Sequence, residues 1–131
     1  MSLEYISSKN RKKLQTKNPP RARSDYSMIA FETNLFIFGG SDGSKILKDL
    51  VQFNLSQHLF KKNNINSHFF IENREFISNY FDESPSERLG HTSIRYHNCM
   101  YLFGGWDGVK TLNDFWEYDF FTQKHIFLKI L

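Results

Sequence analysis

A single cysteine, Cys99, stands among 131 residues, so no disulfide can form within the chain. A disulfide-stapled scaffold is thereby excluded. No stretch approaches the roughly 20 apolar residues that a membrane helix needs. The opening Met1-Ser2-Leu3-Glu4-Tyr5 has no apolar core of a secretory signal. These absences lead to the expectation of a soluble, cytoplasmic protein. Catalytic signatures are missing too: there is no Walker loop, no Gly-x-Gly-x-x-Gly and no Ser/His/Asp order. The stretch Gly39-Gly40-Ser41-Asp42-Gly43 has the glycines of a phosphate loop. It lacks the helix start and the Lys-Ser/Thr pair that such a loop requires. With one thiol, a thiolate metal site has little to work with, so no metal and no cofactor is expected.

Aromatic residues are plentiful: 14 Phe and 6 Tyr against few Ala, a balance that favours pleated sheet over helix. The length suits one domain at most, or part of one. Net charge is +3, and much of the excess lies in Lys9, Arg11, Lys12, Lys13, Lys17, Arg21 and Arg23. Such a run can track phosphates, but no base-reading motif accompanies it. We expect a solvated basic segment and no nucleic-acid or membrane partner.

Sliding the sequence against itself by 65 residues aligns 20–60 with 85–125 without a gap. Eleven positions are identical: Pro20/Pro85, Arg23/Arg88, Ile29/Ile94, Phe38/Phe103, Gly39/Gly104, Gly40/Gly105, Asp42/Asp107, Gly43/Gly108, Lys45/Lys110, Leu47/Leu112 and Asp49/Asp114. Identities clustered on Gly, Asp and Phe at one offset mark a duplication. Each copy reads as four short strands. The first runs over about 26–31 and 91–96, the second over 35–38 and 100–103, the third over 49–53 and 114–118. The fourth is centred near Phe60 and near 125–128. The second strands are continuous apolar runs, which suit burial on both faces. A strand ending beside a packed neighbour leaves no room for a Cβ, which accounts for Gly39-Gly40 and Gly104-Gly105. The Asp-Gly pairs at 42–43 and 107–108 mark the loop that follows.

Arg88-Leu89-Gly90-His91, Tyr101-Leu102-Phe103-Gly104-Gly105 and Asn113-Asp114-Phe115-Trp116-Glu117-Tyr118-Asp119 together resemble the kelch-repeat family. The first copy departs from the pattern at Asp25 and Tyr26, where Gly and His are usual, and the second at His125, where Trp is usual. The Asp-Gly and Leu-Asn-Asp wording is also similar to the kelch repeats of leucine-zipper-like transcriptional regulator proteins. The resemblance implies an all-β fold: a partial kelch β-propeller of two four-stranded antiparallel blades. The chain divides into a basic segment (1–19), repeat 1 (20–62), an inserted segment with a helical pattern (63–84) and repeat 2 (85–131). Leu3-Glu4-Tyr5 aligns with Trp116-Glu117-Tyr118 and is read as an extra N-terminal strand of a preceding blade.

Two blades cannot close a ring of the usual 4–8. The chain therefore needs further blades or self-association. A strand at Tyr5 would duplicate one already present at 116–128, so a partial propeller is favoured over a ring of copies.

Kelch propellers include copper radical oxidases, sialic-acid epimerases and iron-dependent specifier proteins. Here Glu117, Phe121 and His125 follow the specifier spacing, but Phe121 replaces the middle carboxylate and leaves too few ligands. The resemblance instead implies a non-catalytic protein-interaction module, a scaffold or adaptor, with part of a propeller enzyme, a metal-dependent kelch protein or a non-functional fragment as alternatives. Its loops would offer Arg21, Arg23, Ser41, Asp42, Arg88, Trp106 and Asp107 to a protein partner of acidic character. Arg23 and Arg88 have a competing role, hydrogen bonding to backbone carbonyls between blades. Gly39, Gly40, Gly104, Gly105, His91 and Tyr118 are read as structural, with His91 a buried hydrogen-bonding residue.

Overall fold

The computed structural model describes residues 19–63 and 84–128. The basic run at 9–17, the strand expected at Tyr5 and the inserted stretch 64–83 lie outside them. The described residues form two four-stranded antiparallel sheets, each a simple meander. The first contains β1 (Ser27–Phe31), β2 (Asn34–Phe38), β3 (Leu50–Asn54) and β4 (Leu59–Asn63). The second contains β5 (Thr92–Tyr96), β6 (Cys99–Phe103), β7 (Phe115–Asp119) and β8 (Lys124–Leu128). Every strand is five residues long and begins 65 residues after its counterpart. The duplication thus extends to register: Phe36 pairs with Gln52 in one sheet, and Tyr101 with Glu117 in the other.

Backbone conformation repeats as well. Gly39 and Gly104 have φ of 64° and 67°, and Gly40 and Gly105 have 90° and 97°. Asp25 departs from the repeat pattern in side chain only, because its φ of 55° matches the 65° of Gly90. A short polar side chain tolerates the left-handed region better than most.

The core lies between the sheets. Phe31, Phe36 and Phe38 of the first sheet meet Trp116, Tyr118 and Phe120 from the second, all in one buried cluster. Phe31 stacks on Phe120 at 4.3 Å between ring centroids, and Phe36 lies 4.6 Å from the same ring. Polar groups complete the seam. The Ser27 hydroxyl lies 2.8 Å from His91 Nε2 and 2.8 Å from Ser93 Oγ. The Gly40 N–H donates to the Arg88 carbonyl, and the Gly90 N–H to the Asp25 carbonyl, each at 2.9 Å.

The apolar runs of β2 and β6 are each buried on one face, where burial on both was expected. In β2 the buried side chains are Phe36 and Phe38; in β6 they are Met100 and Leu102, the opposite parity. Each sheet buries the face turned toward the other. Phe103, the counterpart of the fully buried Phe38, is 47% exposed. Two stacked sheets have one shared interior, so each keeps one outer face.

Buried imidazoles make this interior sensitive to acid. Burial, reinforced by the Arg88 charge, pushes His91 down to about 4, and burial alone does the same to His125. A folded-state value below the unfolded 6.5 favours the neutral ring. That stabilisation is complete above pH 6.5 and is lost as pH falls toward 4. The lowered aspartates Asp49 and Asp114 act later, below their ordinary 3.8. His125→Phe, which copies Phe60 of the first repeat, is expected to remove about half of the pH dependence between 6.5 and 4, leaving the part due to His91. Denaturant melts across that range check it.

Candidate partner-binding loop end

The β2–β3 and β6–β7 loops leave the sheets at the glycine doublets and lie side by side. A Cβ on Gly108 would sit 3.2 Å from Ile46 Cδ1, which places one loop against the other. Isolated bridges tie each loop to the segment entering its sheet, Ser24 to Ser41 and Leu89 to Trp106. A second bridge folds each loop on itself, Ser41 to Ile46 and Trp106 to Thr111.

Asp42 and Asp107 hold the turns. Asp42 Oδ1 accepts from the Ser44 hydroxyl, the Ser44 N–H and the Lys45 N–H, while Oδ2 accepts from Arg21. The Ser44 hydroxyl and backbone, then Lys45 and Arg21, hold that carboxyl well below the usual range. Asp107 Oδ1 accepts from the Lys110 and Val109 N–H groups, and these lower it too. Ser41 Oγ accepts from the Gly43 N–H. The expected binding residues Ser41, Asp42 and Asp107 therefore spend much of their hydrogen-bonding capacity on loop shape.

Arg23 and Arg88 require a correction. Neither guanidinium is offered to a partner: the side chains are 5% and 0% exposed. Arg88 forks onto Asp114, with Nη1–Oδ1 at 2.6 Å and Nη2–Oδ2 at 2.8 Å. It also donates to the Gly104 carbonyl, the Ser86 carbonyl and the Ser86 hydroxyl. Arg23 repeats the fork on Asp49 and the bond to the Gly39 carbonyl. The carbonyl bonds fall within a sheet's own repeat rather than across the seam. Burial works to raise Asp114, but the Arg88 and Trp116 hydrogen bonds outweigh it and hold the carboxylate ionised. Sequence reading missed both partners, although Arg and Asp recur 26 residues apart in each copy.

What remains at the surface includes apolar and basic side chains, with the exposed Glu87 nearby. Trp106 is 42% exposed and Val109 88% exposed, Lys110 is exposed in the same loop, and Lys45 and the Asp42-paired Arg21 are exposed at the neighbouring loop. A groove of about 1050 Å³ opens beside this end, with Arg21, Lys45, Lys48, Lys61 and Lys62 in its walls.

The sequence of these two sheets, each with a glycine doublet after its second strand and an Arg–Asp fork, matches the Kelch motif over residues 22–62 and 87–128. The chain belongs to the kelch-repeat family. Its sheets are kelch blades. The chain is 28% identical over 99 residues to Tip elongation aberrant protein 1 of Schizosaccharomyces pombe, covering 76% of this chain and 8% of that protein. It is 28% identical over 101 residues to the Leucine-zipper-like transcriptional regulator 1 homolog of Drosophila melanogaster, covering 77% and 10%. Kelch repeat-containing protein 2 of Saccharomyces cerevisiae is 34% identical over 88 residues, covering 67% and 9%. The chain thus spans a tenth or less of these kelch relatives.

The other residues singled out in the sequence fall into place within the blades. His91 is buried and bonded to Ser27, and Tyr118 is buried between Phe36, Phe120 and His125. Glu117 pairs in register with Tyr101, whereas His125 pairs with Tyr118 on the other face of the blade. Glu117 and His125 therefore do not converge. Among the described residues no group of three or more His, Cys, Asp or Glu is placed to hold a metal, and no helix is long and apolar enough to cross a membrane.

Proposed function

We propose that this chain is a non-catalytic protein-interaction module of scaffold or adaptor type, which presents its loop end to a protein partner of acidic character. The observation that carries the reading is Trp106, 42% exposed on a loop whose backbone is fixed on both sides by bridges and by Asp107. A rigid aromatic anchor loses little entropy on binding, and Trp and Arg are the side chains that dominate interface energetics. Lys110 in the same loop, and Lys45 and Arg21 at the adjacent loop, supply positive charge to this end. Arg21 is already paired with Asp42 but remains 63% exposed, so it can bond a second carboxylate. Arg23 and Arg88 take no part in this surface; they build the blades. The half-buried Cys99, its thiol pushed up by burial and by Glu117, suits a reducing, cytoplasmic compartment.

The test compares tagged wild-type chain with Trp106→Ala and Arg21→Ala for capture of proteins from its own cells. Trp106→Ala is expected to weaken the captured interaction by about 2 kcal/mol or more, roughly 30-fold in Kd. Phe121→Ala, in the β7–β8 turn at the other end of its blade, leaves capture unchanged. Full capture by both loop variants contradicts the assignment.

A further inference from the structure

The groove beside the loop end has walls from both blades. Blade 1 supplies Arg21, Lys45, Lys48, Lys61 and Lys62, and blade 2 supplies Glu87 and Gln123. Register places one of these cations at the seam itself. Phe36 pairs with Gln52 and Gln52 with Lys61, so Lys61 lies on the face of β4 turned toward blade 2. The seam is tight at β1 and β5, where the Ser27 and Ser93 hydroxyls meet at 2.8 Å. It opens toward the fourth strands, where Lys61 of β4 and Phe127 of β8 are exposed. This part of the groove lies between the two described blades and does not depend on what covers their outer faces.

The charge of the groove is one-sided. Asp49 is neutralised by the Arg23 fork, which leaves Glu87 as the unpaired acid of the described walls. Among the described residues Lys45, Lys48 and Lys61 form no ion pair, and Lys62 acts on Asp49 only at longer range. A shift of 65 residues turns Arg21 into Ser86, Lys48 into Asn113, Lys61 into Ile126 and Lys62 into Phe127; Lys45 alone keeps its charge, as Lys110. The residues that build a blade behave oppositely, since Arg23, Leu47 and Asp49 recur as Arg88, Leu112 and Asp114. A blade therefore folds without these cations. Lysines on an edge strand have a plain use, blunting its pairing with another strand. That use does not account for Lys48, which precedes β3, and β8, equally at an edge, manages without a lysine over 125–128.

We propose that this groove seats an acidic peptide segment of the protein partner, with Lys48 and Lys61 as its principal carboxylate contacts. The inference rests on the acidic-partner reading above; it assigns the partner's carboxylates to the groove and leaves Trp106 as the apolar anchor. The two surfaces are continuous, because Ile46 lines the groove and lies against the Gly108 position of the Trp106 loop. Clustered ammonium groups repel one another. Carboxylates between them relieve that repulsion, and the positive field steers an acidic partner toward the site. Glu87 disfavours the evenly charged backbone of a nucleic acid, whereas a peptide can set a neutral or basic residue opposite it.

Fluorescence anisotropy of a labelled oligo-glutamate peptide on the whole chain tests it, with labelled oligo-thymidylate as a second probe. Oligo-glutamate is expected to bind, and to bind less as salt rises. Lys48→Glu combined with Lys61→Glu is expected to weaken it about tenfold or more, with an unchanged circular dichroism spectrum. Should that variant misfold, Lys48→Asn with Lys61→Ile copies blade 2, removes the same charges and is expected to weaken binding by a smaller factor. Lys124→Glu, next to His125 and on the opposite face of β8, is expected to change affinity little. Wild-type chain that ignores oligo-glutamate overturns the proposal. So does binding that survives the paired lysine variants or falls equally with Lys124→Glu. Oligo-thymidylate held as tightly through the same lysines overturns the choice of a peptide. With a captured partner, loss in Trp106→Ala but not in the lysine variants removes this proposal and leaves the loop-end function standing. Loss in the lysine variants alone supports the groove and removes the Trp106 anchor.

Discussion

Arg88→Ala is expected to cost about 3–5 kcal/mol, a large share of the roughly 5–15 kcal/mol by which an ordinary domain is stable. The fully buried guanidinium makes five hydrogen bonds, to both Asp114 oxygens, to the Gly104 carbonyl and to Ser86 through its carbonyl and hydroxyl. Its backbone joins the blades, since the Arg88 carbonyl accepts from Gly40 and its N–H donates to Leu47. Truncation leaves Asp114 ionised with only Trp116 as a side-chain donor, at 2.6 Å. Removing one member of a buried pair costs more than removing both, because the survivor keeps its desolvation penalty. Denaturant unfolding should therefore show Arg88→Met with Asp114→Leu more stable than Arg88→Ala alone. Arg88→Lys is expected to recover only part of the loss, since a point charge cannot span two carboxylate oxygens as a planar fork does. An Arg88→Ala variant within about 1 kcal/mol of wild type, the range of an exposed ion pair, would show that the clamp is not structural.

The second large effect separates two glycines that share a conformation. Gly39 and Gly104 have nearly equal φ, so alanine pays about 1–2 kcal/mol of left-handed strain at either. Only Gly39 adds a collision with rigid backbone: its Cβ would lie 2.7 Å from the Arg88 carbonyl and 3.0 Å from the His91 ring. That carbonyl accepts the Gly40 N–H, so it cannot retreat without breaking the seam. Gly39→Ala is expected to exceed Gly104→Ala by at least 1 kcal/mol, raising its total to about 3 kcal/mol or more. Comparison of unfolding midpoints decides it, and equal midpoint shifts in the single chain would contradict the seam geometry.

Much of this architecture was legible in the sequence because the repeat is nearly rigid. A gapless offset of 65 residues located all eight strands to within a residue or two, and the glycine doublets located the loop exits. Asp25 looked like a departure and is not one, since Asp reaches the same left-handed φ as Gly90. The arginines were harder. Identity at Arg23/Arg88 shows that the position matters in both copies, but not whether the side chain points out to a partner or back to an aspartate. The unchanged spacing to Asp49 and Asp114 was the available signal. Residues that differ between copies point the other way: Ser41 and Trp106 occupy the same bridge position, yet only Trp106 has the size to anchor a partner. The one-sided burial of β2 and β6 could not be read from composition, because it depends on what is stacked against each blade.

The chain holds two tryptophans that differ in the property at issue. Trp106 is 42% exposed on the loop end, whereas Trp116 is 7% exposed and bonded to Asp114. Iodide quenching of intrinsic fluorescence therefore reports chiefly on Trp106 in the free chain. Adding a captured partner to saturation measures directly whether the loop end is the binding surface. The predicted result is loss of the quenchable fraction, with Trp116 emission unchanged. Undiminished quenching of Trp106 in the saturated complex would contradict the account.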